Sequence, residues 1–402
     1  MPATVSYVVD RKQNGKLVLK GDLERTAFSI PVIDYKKTSG VPGSLLMTLN
    51  TVGGDPVRIS DLRVHAGDAV LEGDIAFGKK GWWRASFSRV ALGDTDVSLT
   101  AEKAPGDAYD VKIRGRQVDL TPIMESDNKP GARRGVMEKA SAVTVTMDVG
   151  RLITGKDATI DQARVFLRRD EWQRIQQVEM DGKVASGAVF LRYMPVPGGH
   201  SLRFEADNAG TALGALGLGK SVRGGKLSIT GAPLPGGGER DIGGTVIMTD
   251  FTLVNVPVLA RLLNALSLPG FLNLLDGKGI SFKKMRSDFA WYDRRTPIDD
   301  KDVRLLKLKN GQTSGSSLGL TFEGTVDNWN NIYDLNGTII PISDISKIIS
   351  AVPIIGNVLT AGGEGIFAAT YSINGPKDQP SILVNPLSVL APGVLRKLFF
   401  EE

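Results

Sequence analysis

Short runs in which apolar and polar residues alternate recur along this chain, and they constrain its fold more than any other feature. Successive side chains of a β-strand point to opposite faces, so each run predicts a strand with one apolar face. Turn residues such as Gly53-Gly54 and Pro105-Gly106 separate the runs by short distances, which favours antiparallel hairpins. The alternating apolar positions include Leu71, Ile75, Phe77, Val111, Ile113, Val143, Val145, Val149, Leu318, Leu320 and Phe322.

The number of runs indicates a large sheet rather than an ordinary compact core. The chain has 402 residues, whereas single hydrophobic cores stop growing near about 250–300 residues. The alternation predicts roughly 20 strands, and sheets rarely exceed about ten strands without curling or splitting. A sandwich core would also satisfy the alternation. We predict instead a mainly β fold, in which an elongated, curved antiparallel sheet forms an open hydrophobic groove, with a few amphipathic helices in the C-terminal half.

Glycine and proline cluster in residues 231–240, which predicts an internal boundary there. Residues 1–235 form the predicted repetitive β-groove region, and its polar segment 124–140 is predicted to be a loop. Residues 236–402 form the predicted C-terminal region. Its predicted helices lie near 257–275, 344–359 and 386–400.

The first of these helices has a marked apolar side. Pro257 suits a first helical turn, and the leucines that follow recur at helical spacing. We expect these leucines and two aromatic residues near the C-terminus to gate the groove or to contact a membrane. The residues concerned are Leu259, Leu262, Leu263, Leu266, Phe399 and Phe400.

The composition argues against several classes of chemistry. The chain has no Cys and only two His residues, so thiol catalysis, Cys-type metal sites and His-dependent triads lack their parts. The net charge of +5 comes from 49 basic and 44 acidic residues that are interspersed along the chain. Nucleic-acid binding would call for a concentrated basic stripe. We therefore predict no enzyme, no cofactor, no metal and no nucleic-acid partner.

Two catalytic motifs occur, but in the wrong context. Gly214–Ser221 matches the phosphate-loop pattern, yet the sequence after it is rich in glycine and then strand-like, whereas that loop must open a helix. Gly315–Gly319 matches the nucleophile-elbow pattern, which also requires a following helix and a later His. The sequence continues as a strand, and no His follows His200. Both motifs are therefore interpreted as turns.

One segment carries a family resemblance. Asp241–Leu263, with the sequence DIGGTVIMTDFTLVNVPVLARLL, resembles the C-terminal region of the AsmA-like proteins, in particular the YhdP branch. The resemblance is fairly specific over 200–402 and looser over 1–200, and it consists of spaced phrases rather than a catalytic signature. The supporting phrases are Gly279–Phe282, Gly324–Asp327, Asn336–Pro341, Gly363–Phe367, Val384–Gly393 and, upstream, Arg114–Ile123.

The resemblance implies a function and a location. Members of this family are anchored in the inner membrane of Gram-negative bacteria and extend a β groove through the periplasm. They are implicated in moving phospholipid toward the outer membrane. We therefore expect phospholipid and the two membranes as partners, and a periplasmic location. The alternative is a non-enzymatic envelope scaffold or outer-membrane assembly factor that holds a protein partner. The N-terminal anchor of the family is absent from this sequence, so we expect the C-terminal part of a longer protein or a split-gene product.

Overall fold

The structure is a computed structural model. It describes residues 2–30, 35–79, 81–128, 139–266, 275, 277–294, 303–341 and 368–387. The chain divides into two compact units. Unit 1 comprises Met1–Val184 with Ala215–Gly217, and unit 2 comprises Ala185–Gly214 with Leu218–Glu402.

Unit 1 contains eleven strands of the main sheet, in which each strand pairs with the next one along the chain. A small separate sheet, β3 with β4, is inserted between β2 and β5. Short turns join most of the strands, as the glycine-rich spacers predict. The elements are β1 Ala3–Val9, β2 Gly15–Asp22, β3 Phe28–Ile30, β4 Tyr35–Lys37, β5 Gly43–Val52, β6 Asp55–Ala66, β7 Ala69–Gly78, β8 Gly81–Leu92, β9 Thr95–Ala104, β10 Ala108–Asp119, α1 Thr121–Asn128, β11 Val143–Gly155, β12 Ala158–Arg169 and β13 Ile175–Val184.

Strands β10 and β11 are parallel, which the hairpin interpretation did not predict. A parallel pair needs a long connection that returns the chain to the same end of the sheet. That connection begins with α1, so residues 124–128 of the predicted loop are helical, while residues 129–138 lie outside the described part. The carboxylate of Asp119 accepts a hydrogen bond from the Thr121 amide at 2.8 Å and caps the start of α1.

Unit 2 contains ten strands that pair antiparallel along the chain from β14 to β23. The elements are β14 Gly187–Val196, β15 Gly199–Ala206, α2 Ala209–Ala215, β16 Val222–Pro233, β17 Ile242–Leu253, α3 Pro257–Ala265, β18 Ile280–Arg294, β19 Val303–Ser314, β20 Leu318–Asp327, β21 Ile332–Pro341, β22 Ala368–Pro376 and β23 Ser381–Leu387.

The predicted fold class is confirmed, because the chain is mainly β and its strands form a long, mainly antiparallel sheet that does not close on itself. The division between the units falls at Val184, whereas the predicted boundary at residue 235 lies in the turn between β16 and β17. Helix α3 covers the first part of the predicted helix 257–275. The predicted helix 344–359 lies outside the described residues, and the predicted helix 386–400 overlaps the end of β23 at Pro386 and Leu387.

Irregular positions interrupt the alternation inside several strands. Asp61, Gln162 and Asn310 adopt positive φ angles of 53°, 52° and 51°, and the strand register shifts beside each of them. A bulge adds one residue, so two residues of the same face are then three positions apart rather than two. Asp and Asn tolerate this backbone conformation better than most residues.

Aromatic side chains lie over glycines of neighbouring strands. Gly73 pairs with Phe87, and a Cβ atom on Gly73 would stand 2.6 Å from the Cα atom of Phe87. Gly311 pairs with Phe322, whose ring occupies the place of the missing side chain. The close approach requires glycine at both positions.

We predict that Gly73→Ala lowers the free energy of unfolding by about 1–3 kcal/mol, because the added methyl group forces the strands apart. Urea denaturation followed by circular dichroism measures the change. Gly155→Ala is the matched control, since its Cβ would meet only the Cβ atom of Ala158, at an ordinary 3.5 Å. Equal destabilisation by the two substitutions would contradict the packing argument.

Candidate functional site: the apolar faces of the two units

A row of apolar residues crosses every strand of the main sheet in unit 1. The strand registers pair each member with the next, so all eleven side chains project from one face. No member is charged. The row is Tyr7, Leu17, Leu49, Ile59, Ile75, Ala85, Ala101, Val111, Val145, Leu167 and Val178.

The neighbouring row, one residue along each strand, is polar apart from Val8 and Ala76. It includes Lys16, Arg58, Arg84, Glu102 and Asp110, which project from the opposite face. Arg84 and Glu102 form an ion pair at 3.3 Å. The sheet of unit 1 therefore has one apolar face and one charged face, as the alternation predicts.

Most residues of the apolar row in unit 1 are half-buried. Neighbouring side chains cover their flanks, but Val111 and Val145 keep part of their surface exposed. A core under a second layer would bury them. Tyr7, on the edge strand β1, is 57% exposed. The face is thus a long apolar surface that is partly open to its surroundings.

The structure brings the eight predicted groove residues of unit 1 to this one face. Seven of them are half-buried, while Val149 is buried at 2% exposure. Trp82, which pairs with Phe77, stacks on Tyr109 with ring centroids 5.2 Å apart and extends the same surface. The residues are Leu71, Ile75, Phe77, Val111, Ile113, Val143, Val145 and Val149.

Unit 2 has its own apolar face, which is buried toward one end of the strands. Along β20, Leu318 is fully buried, Leu320 is 8% exposed and Phe322 is half-buried. These three predicted groove residues share the face, but only Phe322 lies in its open part. A row across β14 to β22 defines the face: Val189, Ala206, Leu227, Met248, Met285, Thr313, Leu320, Ile339 and Ala369.

The leucines of α3 belong to the core of unit 2. Leu259, Leu262 and Leu263 are 7%, 2% and 0% exposed, and only Leu266 is half-buried. The helix packs near β23, and Arg261 donates a hydrogen bond to the backbone carbonyl of Asp378 at 3.2 Å. The three buried leucines therefore offer no surface to a membrane in this conformation. Phe399 and Phe400 lie outside the described residues.

Sequence reasoning missed a cluster of polar side chains at one end of unit 2. Arg240 and Asp293 form an ion pair at 2.8 Å. The ring of Tyr193 stacks on that of His200, with centroids 4.6 Å apart, and Nδ1 of His200 lies 3.0 Å from the Glu239 carbonyl oxygen. Burial raises the pKa of the Tyr193 phenol, which indicates poor solvation at this place.

The two catalytic motifs lie in turns. Gly214–Ser221 follows the start of α2 and leads into strand β16, so helix and strand occur in the reverse of the order that a phosphate loop requires. Gly315–Gly319 spans the hairpin between β19 and β20, where the Gly315 amide donates a hydrogen bond to the Leu318 carbonyl at 3.0 Å.

A cavity of about 900 Å³ lies on the polar side of unit 2, across β18 to β23. Its lining includes Gln312, Thr321, Asn336 and Asn385, whose amides and hydroxyls form hydrogen bonds rather than apolar contacts. Phe322, Tyr371 and Leu383 also line it, so the cavity has a mixed lining, whereas the row of apolar side chains on the other face is uniform. The apolar face is therefore the candidate site for an apolar ligand.

None of the helices in the described ranges has the length and apolarity needed to span a bilayer. No protein-family model, no curated protein and no solved structure matches the chain. The candidate site thus stands on the geometry of the sheet alone.

We predict that Leu263→Ala lowers the free energy of unfolding by about 2–5 kcal/mol, because it removes a fully buried side chain. Urea denaturation of the purified chain measures the loss. Leu266→Ala is the matched control on the same helical segment, and a smaller loss is expected because Leu266 is half-buried. If the two variants were equally stable, the assignment of Leu263 to the core would fail.

Proposed function

We propose that this chain binds phospholipid through its apolar sheet faces and carries it between the inner and outer membranes of the bacterial envelope. The row of eleven apolar residues in unit 1, most of them half-buried, carries the proposal. An apolar surface of this extent that lacks a complete cover is a mark of a binding site. Hydrocarbon chains supply such a cover without any need for a defined side-chain pocket.

The energetics of lipid movement favour a continuous apolar surface. Each CH₂ group that leaves water gains about 0.8 kcal/mol, so exposing the roughly 30 such groups of a two-chain phospholipid costs on the order of 20 kcal/mol. A few hydrogen bonds of about 1 kcal/mol each cannot offset that cost. A sheet that presents an apolar side chain at every second residue of every strand can do so over its whole width.

The family resemblance is the second support. The phrases in Asp241–Leu263 and further along the chain are similar to those of AsmA-like proteins. The periplasmic location and the two membranes as partners enter the proposal through this resemblance. A protein that occupies the same face is the competing possibility, and native mass spectrometry separates the two.

We predict that Val145→Asp reduces lipid uptake at least tenfold. The new carboxylate would lie against the acyl chains, where an unpaired charge is costly. In the free protein the half-buried position still lets the carboxylate reach water, so the sheet should fold. Loss of excimer emission measures the extraction of pyrene-labelled phospholipid from vesicles, and circular dichroism checks the fold.

Thr146→Asp is the matched control, since this exposed neighbour lies in the next position of β11 and projects from the polar face. Its uptake should stay within about twofold of the original chain. Equal uptake by the Val145 variant and the control would overturn the proposal. Native mass spectrometry of the purified chain gives a separate readout: bound phospholipid supports the proposal, whereas a stoichiometric protein in its place favours the scaffold.

A further inference from the structure

Charged side chains stand on the apolar face of unit 2 at one end of its strands. Asp293 follows Trp291 by two residues in β18, and Arg304 precedes Leu306 by two residues in β19, directly opposite Asp293. Alternate residues of a strand share a face, so both charged groups project from the same side as Trp291 and Leu306. They lie at the far end of β18 from the buried Phe282.

Two guanidinium groups approach one carboxylate at this place. Nη2 of Arg240 lies 2.8 Å from Oδ2 of Asp293, and Nε of Arg304 lies 4.0 Å from Oδ1 of the same side chain. The fully buried carboxylate of Asp241 accepts hydrogen bonds from the backbone amides of Gly238 and Asp293. Backbone donors thus hold the Asp241 carboxylate close to the backbone of Asp293.

The two arginines have donors to spare. Within the part of the chain that the structure describes, Nε and Nη1 of Arg240 and Nε and Nη2 of Arg304 are buried and have no hydrogen-bond acceptor. A buried donor without an acceptor raises the free energy of the protein. An acceptor that reaches such a donor removes this penalty, which favours binding. The side chains of Arg240 and Arg304 are 16% and 18% exposed, so each reaches the surface, and a small movement of the side chain would bring its buried donors to a ligand.

Aromatic rings surround these donors. The ring of Trp329 lies 5.9 Å from the Arg304 guanidinium, and Tyr193 stacks on the fully buried His200 near Arg240. Hydrogen bonds to a charged group are stronger in a surrounding that excludes water. A guanidinium presents parallel N–H groups that match two oxygens of a phosphate or a carboxylate.

We propose that Arg240 and Arg304 form an oxyanion site, which binds the phosphate or carboxylate group of an amphiphile whose hydrocarbon chain lies on the apolar face of unit 2. The hydrocarbon part of this inference rests on the proposed lipid function, whereas the oxyanion part does not. Along β18, Met285 and Trp291 share this face and lie about 20 Å apart. An acyl chain occupies about 15 Å, which is half of a bilayer core about 30 Å thick. The face is long enough for an acyl chain.

Isothermal titration of the full chain with three probes tests the site: dodecyl phosphate and dodecanol, both below their aggregation limits, and inorganic phosphate. We expect dodecyl phosphate to bind at least tenfold more tightly than dodecanol. Tighter binding of dodecyl phosphate than of inorganic phosphate identifies a lipid-type head group as the source of the oxyanion. Equal affinity for these two identifies a free oxyanion and removes the hydrocarbon part of the inference.

Arg304→Gln and Arg240→Gln should each weaken the binding of dodecyl phosphate about tenfold or more and leave that of dodecanol unchanged. Arg203→Gln is the matched control, because Arg203 is 60% exposed, pairs with Glu205 and projects from the face of β15 opposite to that of His200. It should leave all three affinities unchanged. If a Gln variant fails to fold, Arg304→Lys replaces it, because this substitution keeps the charge but removes the parallel donors. The affinities of the original chain for the three probes test the oxyanion site without any variant.

The oxyanion site is overturned if dodecyl phosphate and dodecanol bind equally, or if folded Arg304 and Arg240 variants bind dodecyl phosphate as the original chain does. Failure of the proposed lipid function has a different signature. Dodecyl phosphate then binds no more tightly than inorganic phosphate and dodecanol does not bind, while the binding of inorganic phosphate is lost in the arginine variants. Absence of binding by all three probes overturns both.

Discussion

The register between neighbouring strands is the constraint on which the other features of this protein depend. A slip of one residue would exchange Val145 for Thr144 and move the apolar set to the charged face. The strands also contain bulges, and a bulge shifts the alternation by one position. The sequence compensates in place: Ile59 and Leu62 share a face although they are three residues apart, because Asp61 forms the bulge between them.

The main architecture could be predicted because apolar and polar residues alternate within each strand. This alternation follows from the burial of one face of the strand, and it is visible in a short stretch of sequence. The eight groove residues predicted in unit 1 share a face for this reason. The bulges and the parallel pairing of β10 with β11 were missed because both depend on contacts between strands. The sequence of residues 124–140 does not indicate to which end of the sheet the chain returns. Asp119 and Pro122, in the preceding residues, are however typical of a helix start.

The buried leucines of α3 and the cluster around Arg240 show a second limit of prediction from local sequence patterns. Helical spacing of Leu259, Leu262 and Leu263 indicates that they face something apolar, but it does not distinguish a sheet from a membrane, and the structure places them in the core. Arg240 and Arg304 are separated by 64 positions in the sequence. Both contact Asp293 because the hairpins bring the start of β17 and the start of β19 to the end of β18. No spacing of residues in the sequence predicts this contact.

Two features of unit 2 make opposite demands on a ligand, and an amphiphile meets both. The apolar face is open around Phe322 and Leu306. Covering each Å² of such surface is worth about 25 cal/mol of transfer free energy. The arginine donors at the end of the same face require oxygen acceptors. A purely apolar partner would leave those donors unpaired, and a purely polar one would leave the face exposed. A molecule with one anionic end and a hydrocarbon body satisfies the donors and the face together, and the strands themselves provide the direction in which it would lie.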